Sequence, residues 1–238
     1  VFTSCGSESD VLAVSGGAWQ VFDESKGARK KLVSSPIEHE AVRVQLKHLC
    51  RRGFAVEECG VDADGIIELR SVESALTPDV ALLSIMHANN EIGTLQPITE
   101  VAALCRARGI LCHTDAVQSA GKVPLDVKAL GVDLLALSGH KVNAAKGVGA
   151  LYVRRGVRLS QVVTGHQEKN RRGGTENVAA IVGFGVACEL AGRELSKAET
   201  CLARRKRLEQ GVLRTPGSRL NGHREKRLPN CAHFSFEG

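Results

Sequence analysis

The sequence predicts an α/β fold, in which a mainly parallel β-sheet is covered by helices on both faces. Short aliphatic segments alternate with longer amphipathic ones along the 238 residues, which is the pattern of βαβ units. Residues 80–86 are almost continuously apolar, as in strands buried on both faces of a sheet. Aromatic residues make up only 3% of the chain, so the layers must be packed by aliphatic side chains.

The individual elements follow from this alternation. Strands are predicted at 1–3, 31–34, 54–57, 80–86, 110–113, 132–137 and 149–154. Helices are predicted at 7–14, 37–52, 71–76, 98–108, 124–130 and over most of 177–207. Ser7 is the expected N-cap of the first helix, and Gly53 and Gly109 stop the second and fourth. The last helix is expected to bend near its glycines at 183, 185 and 192.

Composition argues against several classes of partner. The net charge is +6, with basic clusters at 204–207 and 223–227, but no aromatic residues interleave with them to stack on bases. No apolar run approaches the roughly 20 residues that cross a bilayer. We therefore expect neither nucleic acid nor membrane as a partner. The eight cysteines form no CxxC pair, which is typical of reduced thiols in a cytoplasmic protein.

Chemically useful residues follow the predicted strands, and ligands of parallel sheets bind at the carboxyl ends of strands. Small residues at 3–7 lead into the first helix, which predicts either an anion site with the Ser7 hydroxyl as a donor or an ordinary N-cap. Asn89 and Asn90 follow the strand 80–86, either as turn formers or as an amide donor to a ligand. His39 opens a helix, either as a cap or as a plate for stacking.

Two further strand ends carry an acid and an amine. Asp115 follows the strand 110–113 and is suited to hold a protonated ring nitrogen, or else to cap a helix. Lys141 follows the strand 132–137, where its amine is placed to condense with an aldehyde unless it is simply solvated. An anion site, an amide, an acid and a lysine are together the requirements of pyridoxal 5′-phosphate. His113, Asp115 and His140 are weighed as metal ligands, but no other spacing supports a metal, and none is expected.

These residues lie in segments that resemble the class V, fold-type I pyridoxal-phosphate enzymes, specifically cysteine desulfurases of the NifS/IscS type. The matching segments run in order along the whole chain. They are FTS at 2–4, ESD at 8–10, EH at 38–39, MHANNEIG at 86–93, HTDAVQ at 113–118, SGHK at 138–141, KGVGALYVRR at 146–155, RRGGTEN at 171–177, RLPN at 227–230 and FSFEG at 234–238.

The resemblance implies a role for each site residue. Lys141 and His39 would be catalytic, Lys141 by holding the cofactor as a Schiff base and moving protons, and His39 by stacking on the ring. Asp115 would pair with the pyridinium nitrogen, Gln118 with the phenolic oxygen, and Asn90 would support the substrate. The phosphate would be bound by Gly6, Ser7, Ser138 and His140. Thr175 would reach the phosphate in the partner subunit of a homodimer.

The implied reaction converts L-cysteine to L-alanine and passes sulfur to an enzyme cysteine as a persulfide, for iron–sulfur cluster assembly or another sulfur-transfer pathway. A sulfur-acceptor or scaffold protein would then be a partner. Three departures from the family pattern stand out. Cys5 occupies a position where the family usually has glycine, 142–145 replace an aromatic or His pair followed by Gly-Pro, and Lys169 replaces an arginine.

Both ends of the chain look cut inside structured elements. We expect residues 1–205 to form the cofactor-binding large domain without its N-terminal part, and 206–238 to begin a small C-terminal domain that is largely missing. The nucleophilic cysteine of the family would lie beyond residue 238, so the chain is expected to bind cofactor but to be inactive alone. A selenocysteine lyase, another class V lyase or aminotransferase, and a non-catalytic remnant of the fold are the alternatives.

Overall fold

A seven-stranded sheet forms the centre of the computed structural model, which describes all residues from 1 to 238. Its strands are β1 (Phe2–Thr3), β2 (Lys31–Ser34), β3 (Ala55–Glu58), β4 (Val80–Ser84), β5 (Leu111–Asp115), β6 (Leu134–Ser138) and β7 (Gly149–Val153). Their spatial order is β1-β7-β6-β5-β4-β2-β3. From β3 to β6 all neighbours are parallel, whereas β7 pairs antiparallel with both β6 and β1. The mainly parallel sheet is therefore confirmed.

Nine α-helices accompany the sheet. They are α1 (Gly6–Val11), α2 (Gly17–Glu24), α3 (Glu40–Arg51), α4 (Leu69–Ala75), α5 (Ile98–Ala107), α6 (Val127–Leu130), α7 (Gln167–Asn170), α8 (Val178–Glu194) and α9 (Ala198–Val212). A π-helical segment, Leu12–Gly16, joins α1 to α2 without a break, and 3₁₀ turns lie at Gly139–Val142 and Leu195–Lys197. No helix combines the length and the apolar character that crossing a lipid bilayer requires.

The helices pack on both faces of the sheet, as predicted. Adjacent residues of β4 show this, because side chains alternate between faces along a strand. Leu82 belongs to a buried cluster with Leu12 of the π-helical segment and Leu46 of α3. Leu83 packs with residues of α4 and α5 on the opposite face. All five residues of β4 are buried, which confirms the prediction of a strand buried on both faces of the sheet.

Helices α2 and α7 were not predicted, and two of the predicted helices differ in detail. The first helix begins at Gly6 with Cys5 as its N-cap, so Ser7 is inside the first turn rather than the cap. The helix starts earlier than predicted because the Glu8 carboxylate accepts a hydrogen bond from the Ser4 N–H at 2.8 Å. This bond gives a partner to a backbone N–H just before the helix. The last helix is not interrupted at its glycines. It breaks at Leu195–Lys197, where the Ser196 hydroxyl bonds the Arg193 oxygen and competes with the helical ladder.

A second, two-stranded sheet lies near the end of the chain. Strands β8 (Ser218–Asn221) and β9 (His233–Phe236) pair antiparallel. The segment between them is attached to the loop after β4 through a bridge between Thr94 and Arg227. The expected domain boundary between residues 205 and 206 falls inside helix α9, and that boundary remains a prediction.

Candidate active site

One cavity of about 180 Å³ lies beside the carboxyl ends of β4, β5 and β6, where ligands of parallel sheets bind. Nine of the ten predicted site residues line it. They are Gly6, Ser7, His39, Asn90, Asp115, Gln118, Ser138, His140 and Lys141. Four residues that were not predicted complete the lining, namely Cys5, Asp10, Met86 and Val117.

Asp115 is the last residue of β5 and is 5% exposed. Its Oδ1 accepts a hydrogen bond from the Val117 N–H at 2.8 Å, which fixes the carboxyl group at the strand end. Burial raises the pKa of Asp115, while the Val117 N–H and the positive charges of His39 and Lys141 oppose that rise. An additional cationic group in the cavity would therefore favour the ionised carboxylate.

Lys141 lies in the 3₁₀ turn that follows β6, so its amine is carried by a short, defined element rather than by a loose loop. The turn ends at Asn143, which adopts a left-handed conformation with φ of 64°. Asparagine tolerates this conformation better than most residues, which explains its use as the cap. Because Lys141 and Asp115 line the same cavity and interact electrostatically, the acid and the amine occupy one site.

His39 is the N-cap of α3, and its Nδ1 accepts from the Ala41 N–H at 3.2 Å. The capping role is therefore observed, and the capped ring also lines the cavity, while its stacking on a cofactor stays a prediction. The two asparagines divide their roles. Asn89 forms the turn by accepting from the Glu91 and Ile92 N–H groups, while Asn90 lines the cavity.

The helix start that lines the cavity is suited to an anion. The first N–H groups of the helix that starts at Gly6 have no intrahelical acceptor. The Ser138 hydroxyl lies 2.9 Å from Nδ1 of His140, and both residues line the cavity. A Cβ atom at Gly6 would lie only 2.9 Å from Val117 Cγ2 and 3.0 Å from Ser138 Cβ. Glycine is thus required for the helix start to approach the strand ends this closely.

Thr175 is the one predicted residue that the fold places elsewhere. It lines a second cavity of about 220 Å³, together with Arg172 and other residues of 168–181. Arg172 connects this segment to the helix start through two bonds to the Glu8 carboxylate, at 2.7 and 3.1 Å. Within one chain Thr175 therefore does not reach the first cavity.

Two buried acids near the site were not predicted. Asp10 is 1% exposed and lines the cavity, and Glu38 is 4% exposed. Burial, then the charge of Asp115, raises the pKa of Asp10 well above its usual value. Burial raises the pKa of Glu38 to about 8. The available signal was the helical period, because Asp10 shares a face with the buried residues Gly6, Ala13 and Val14. No group of three or more His, Cys, Asp or Glu side chains is arranged as a metal site.

Comparison with known proteins identifies the family. The class-V aminotransferase model matches residues 1–238. The chain belongs to the class-V aminotransferase family. The enzymes of this family use pyridoxal phosphate as cofactor, which agrees with the cofactor expected from the sequence.

Relatives within the family are cysteine desulfurases. The chain is 46% identical over 241 residues to the cysteine desulfurase of Gluconacetobacter diazotrophicus, covering all of this chain and 59% of that protein. It is 44% identical over 240 residues to the cysteine desulfurase NifS of Azotobacter vinelandii, of which it covers 58%. The predicted resemblance to NifS-type enzymes is therefore confirmed, and the chain spans less than two thirds of these relatives.

Solved structures give the same result. A NifS-like protein superposes with a TM-score of 0.92 at 37% identity, covering 99% of this chain and 64% of the other. SspA in complex with cysteine superposes with a TM-score of 0.84 at 35% identity, covering 100% of this chain and 66% of the other. The superposition extends across the whole chain, so the residues discussed above lie on a shared fold.

The cavity fits pyridoxal phosphate. Lys141 would supply an amine for the aldehyde, Asp115 a buried carboxyl for the ring nitrogen, and Ser7 and Ser138 donors for the phosphate, as the resemblance implies. The close packing of Gly6 agrees with this fit, since a Cβ atom there would collide with Val117 and Ser138, which also line the cavity.

Proposed function

We propose that this chain is the pyridoxal-phosphate-binding part of a cysteine desulfurase, which removes sulfur from L-cysteine, leaves L-alanine and passes the sulfur to a protein cysteine. The observation that carries the proposal is the shared cavity of Lys141 and Asp115, with the anion-binding end beside them. The identity with cysteine desulfurases supports the substrate, as does the relative SspA, whose structure contains cysteine.

The residues divide the work by position. When bound, the cofactor supplies an aldehyde that condenses with amines and a ring that stabilises negative charge at the substrate α-carbon. Lys141 provides the amine that anchors the cofactor and afterwards moves a proton. Asp115 holds the ring nitrogen protonated, because an ionised carboxylate at 5% exposure strongly favours a positive neighbour.

The remaining site residues bind and orient the cofactor and the substrate. Gly6, Ser7, Ser138 and His140 bind the phosphate, since they form the donor-rich end of the cavity. His39 supports the face of the ring, with its own orientation fixed by the bond from Ala41. Gln118 donates to the phenolic oxygen, and Asn90 contacts the substrate.

We propose that the protein is a homodimer with shared sites, because Thr175 lies outside the cavity of its own chain. The helix that follows Thr175 exposes Val178, Val182, Val186 and Leu190 in a line, which is unfavourable unless covered.

Complementation between two variants tests whether the sites are shared. Chains carrying Lys141→Ala and chains carrying Thr175→Ala are each expected to bind cofactor poorly, and mixing them should restore one intact site per mixed dimer. Binding in the mixture equal to the average of the two variants would contradict shared sites.

A sulfur-acceptor protein is the proposed downstream partner, because a persulfide must be discharged for turnover. The cytoplasm is the proposed location. All eight cysteines are free, which supports a reducing compartment.

The substrate is tested with the two enantiomers of cysteine. The cofactor-loaded protein is titrated with L-cysteine and with D-cysteine while its visible absorption is recorded. Both enantiomers react alike with free cofactor, so only a chiral site can distinguish them. We expect L-cysteine to act at a concentration at least about tenfold lower, corresponding to about 1.4 kcal/mol. An equal response would overturn the proposed substrate.

Further titrations and product analysis of the cofactor-loaded protein separate the alternative functions. A stronger response to L-selenocysteine than to L-cysteine would indicate a selenocysteine lyase, and formation of a keto acid would indicate an aminotransferase. A folded protein that takes up no cofactor would indicate a non-catalytic remnant. Alanine release is measured in parallel.

A further inference from the structure

A pair of buried polar atoms without hydrogen-bond partners lies beneath the cavity. Oδ1 of Asp10 and Nε2 of His113 are 3.6 Å apart, and neither makes another hydrogen bond. The side chains of Asp10 and His113 are 2% and 0% exposed. Unpartnered buried polar atoms are costly, so two of them facing one another indicate a shared proton. Asp10 also lines the cavity, which connects the pair to the site.

The other side of the His113 ring is already fixed. Its Nδ1 lies 2.8 Å from the hydroxyl of Ser84, the last residue of β4. The ring is therefore held between Ser84 and Asp10. His113 and Asp115 are two residues apart on β5, so their side chains lie on the same face of the sheet. The pair is thus a direct neighbour of the carboxyl that faces the ring of the cofactor.

The Asp10 carboxyl lies among other acidic groups. Asp10 is influenced by the negative charges of Asp115 and Glu38 and by the thiol of Cys5, and Nε2 of His113 lies 3.6 Å from its Oδ1. Three carboxyl groups in one buried region cannot all be ionised. Burial, then the repulsion from Asp115 and Glu38, raises the pKa of Asp10 well above its usual value.

Asp115 is better placed to hold the negative charge. It alone receives both a hydrogen bond from the Val117 N–H and the influence of His39 and Lys141. Burial lowers the pKa of His113 to about 3, so the ring is neutral at physiological pH. Glu38 accepts at Oε1 from the Ser35 hydroxyl and from the Met86 N–H.

We propose that Asp10 and His113 are positioning residues. Asp10 stays protonated and donates to Nε2 of His113, and this uncharged pair leaves Asp115 as the charged carboxyl at the ring end of the cavity. His113 then carries its own proton on Nδ1 and donates it to the Ser84 oxygen. The role assigned to Asp115 rests on the proposed function, whereas the protonation of the pair does not.

Nitrogen NMR of the histidine-labelled chain, without cofactor, tests the pair directly. The His113 signals are those missing from a His113→Gln variant. We expect a neutral imidazole, protonated at Nδ1 and accepting at Nε2, that does not titrate between about pH 5 and 8. An imidazolium, or a ring protonated at Nε2, would overturn the proposal.

Two substitutions of Asp10 provide a second readout. Asp10→Asn keeps an uncharged donor toward Nε2, so we expect its dissociation constant for pyridoxal phosphate to stay within about threefold of wild type, which is about 0.7 kcal/mol. Asp10→Ala leaves Nε2 without a donor and is expected to weaken binding about tenfold. Equal damage by both substitutions would show that the negative charge of Asp10 matters, which contradicts the proposal. If the wild-type chain takes up no cofactor, the proposed function fails, while the NMR experiment still decides the protonation.

Discussion

Lys122 holds Gln118 through two bonds from one ammonium group, to the main-chain oxygen at 2.8 Å and to the side-chain Oε1 at 3.3 Å. The amide of Gln118 is thereby oriented with its oxygen toward Lys122, which leaves its NH₂ group as the donor available to the cavity. Burial, and then the charge of Lys141, lowers the pKa of Lys122. A residue outside the cavity thus determines which end of Gln118 serves the ligand.

Replacing Lys122 by methionine is therefore expected to weaken cofactor binding. The variant keeps most of the apolar stem but removes both bonds, so the Gln118 amide is free to rotate. We expect the dissociation constant for pyridoxal phosphate to rise about tenfold, equivalent to about 1.4 kcal/mol, in a titration followed by absorption. Lys128→Met removes an exposed lysine of α6 and is the matched control. Equal constants for the two variants would contradict the orienting role.

Gly6→Ala should affect the site more than the fold. The added Cβ would meet Val117 and Ser138 at 3.0 Å or less and push the helix start away from the strand ends. We expect cofactor affinity to fall by at least about tenfold, with unfolding free energy lowered by about 1–3 kcal/mol for overpacking. Gly183→Ala, which meets nothing in the exposed part of α8, is the control and should stabilise by about 0.5–1 kcal/mol. An affinity unchanged by Gly6→Ala would exclude a phosphate at this end.

Glu38 makes stability depend on pH. Its pKa rises from 4.5 to about 8 on folding, so the folded chain binds the extra proton between these values. The contribution of the protonated group is fully present below about pH 4.5 and is lost as the pH rises through about 8. Glu38→Gln removes this loss. Denaturant unfolding at several pH values should show the unfolding free energy of the variant rising relative to that of wild type between about pH 5 and about 8. A difference in unfolding free energy that does not change with pH would count against a buried, protonated Glu38.

The Glu8–Arg172 pair should show the opposite dependence. Burial works against a charge on Glu8, but the bonds from Arg172 and Ser4 hold its pKa below the usual 4.5. Its stabilisation is present above that value and is lost as the pH falls through the lowered pKa. A double-mutant cycle with Glu8→Gln and Arg172→Met is expected to give a coupling of about 1 kcal/mol at neutral pH. A coupling that survives strong acid would show that charge is not its origin.

Much of the fold was predictable because its causes are local. The alternation of strand and helix, the buried β4 and the stop at Gly53 all depend on residues close in sequence. The residues at the strand ends were also found, since parallel strands bring their carboxyl ends to one edge. The asparagine pair shows the limit of this reasoning, because the sequence could not say that Asn89 would form the turn and Asn90 would line the cavity.

The missed residues depend on distant contacts. Asp10 faces His113, which lies more than a hundred residues later, so neither residue alone indicates a shared proton. Glu38 is buried by its bond to the Met86 N–H, a contact with no local signature. The start of the first helix was misplaced because Glu8, rather than Ser7, satisfies the preceding backbone. Side chains that satisfy remote polar groups are therefore the part of the site that pattern reasoning does not reach.

The amine of Lys141 and the carboxyl of Asp115 are expected to hold one pyridoxal phosphate between them. The most direct measurement is borohydride reduction of the cofactor-loaded chain, followed by peptide mass spectrometry. We predict a single pyridoxyl group, on Lys141, and its loss in Lys141→Ala. In Asp115→Ala the pyridoxyl group on Lys141 should remain. Before reduction, the ring nitrogen of the bound cofactor should lose its proton at lower pH than in wild type, because its carboxylate partner is gone. A pyridoxyl group spread over several surface lysines, or one retained by Lys141→Ala, would contradict the account.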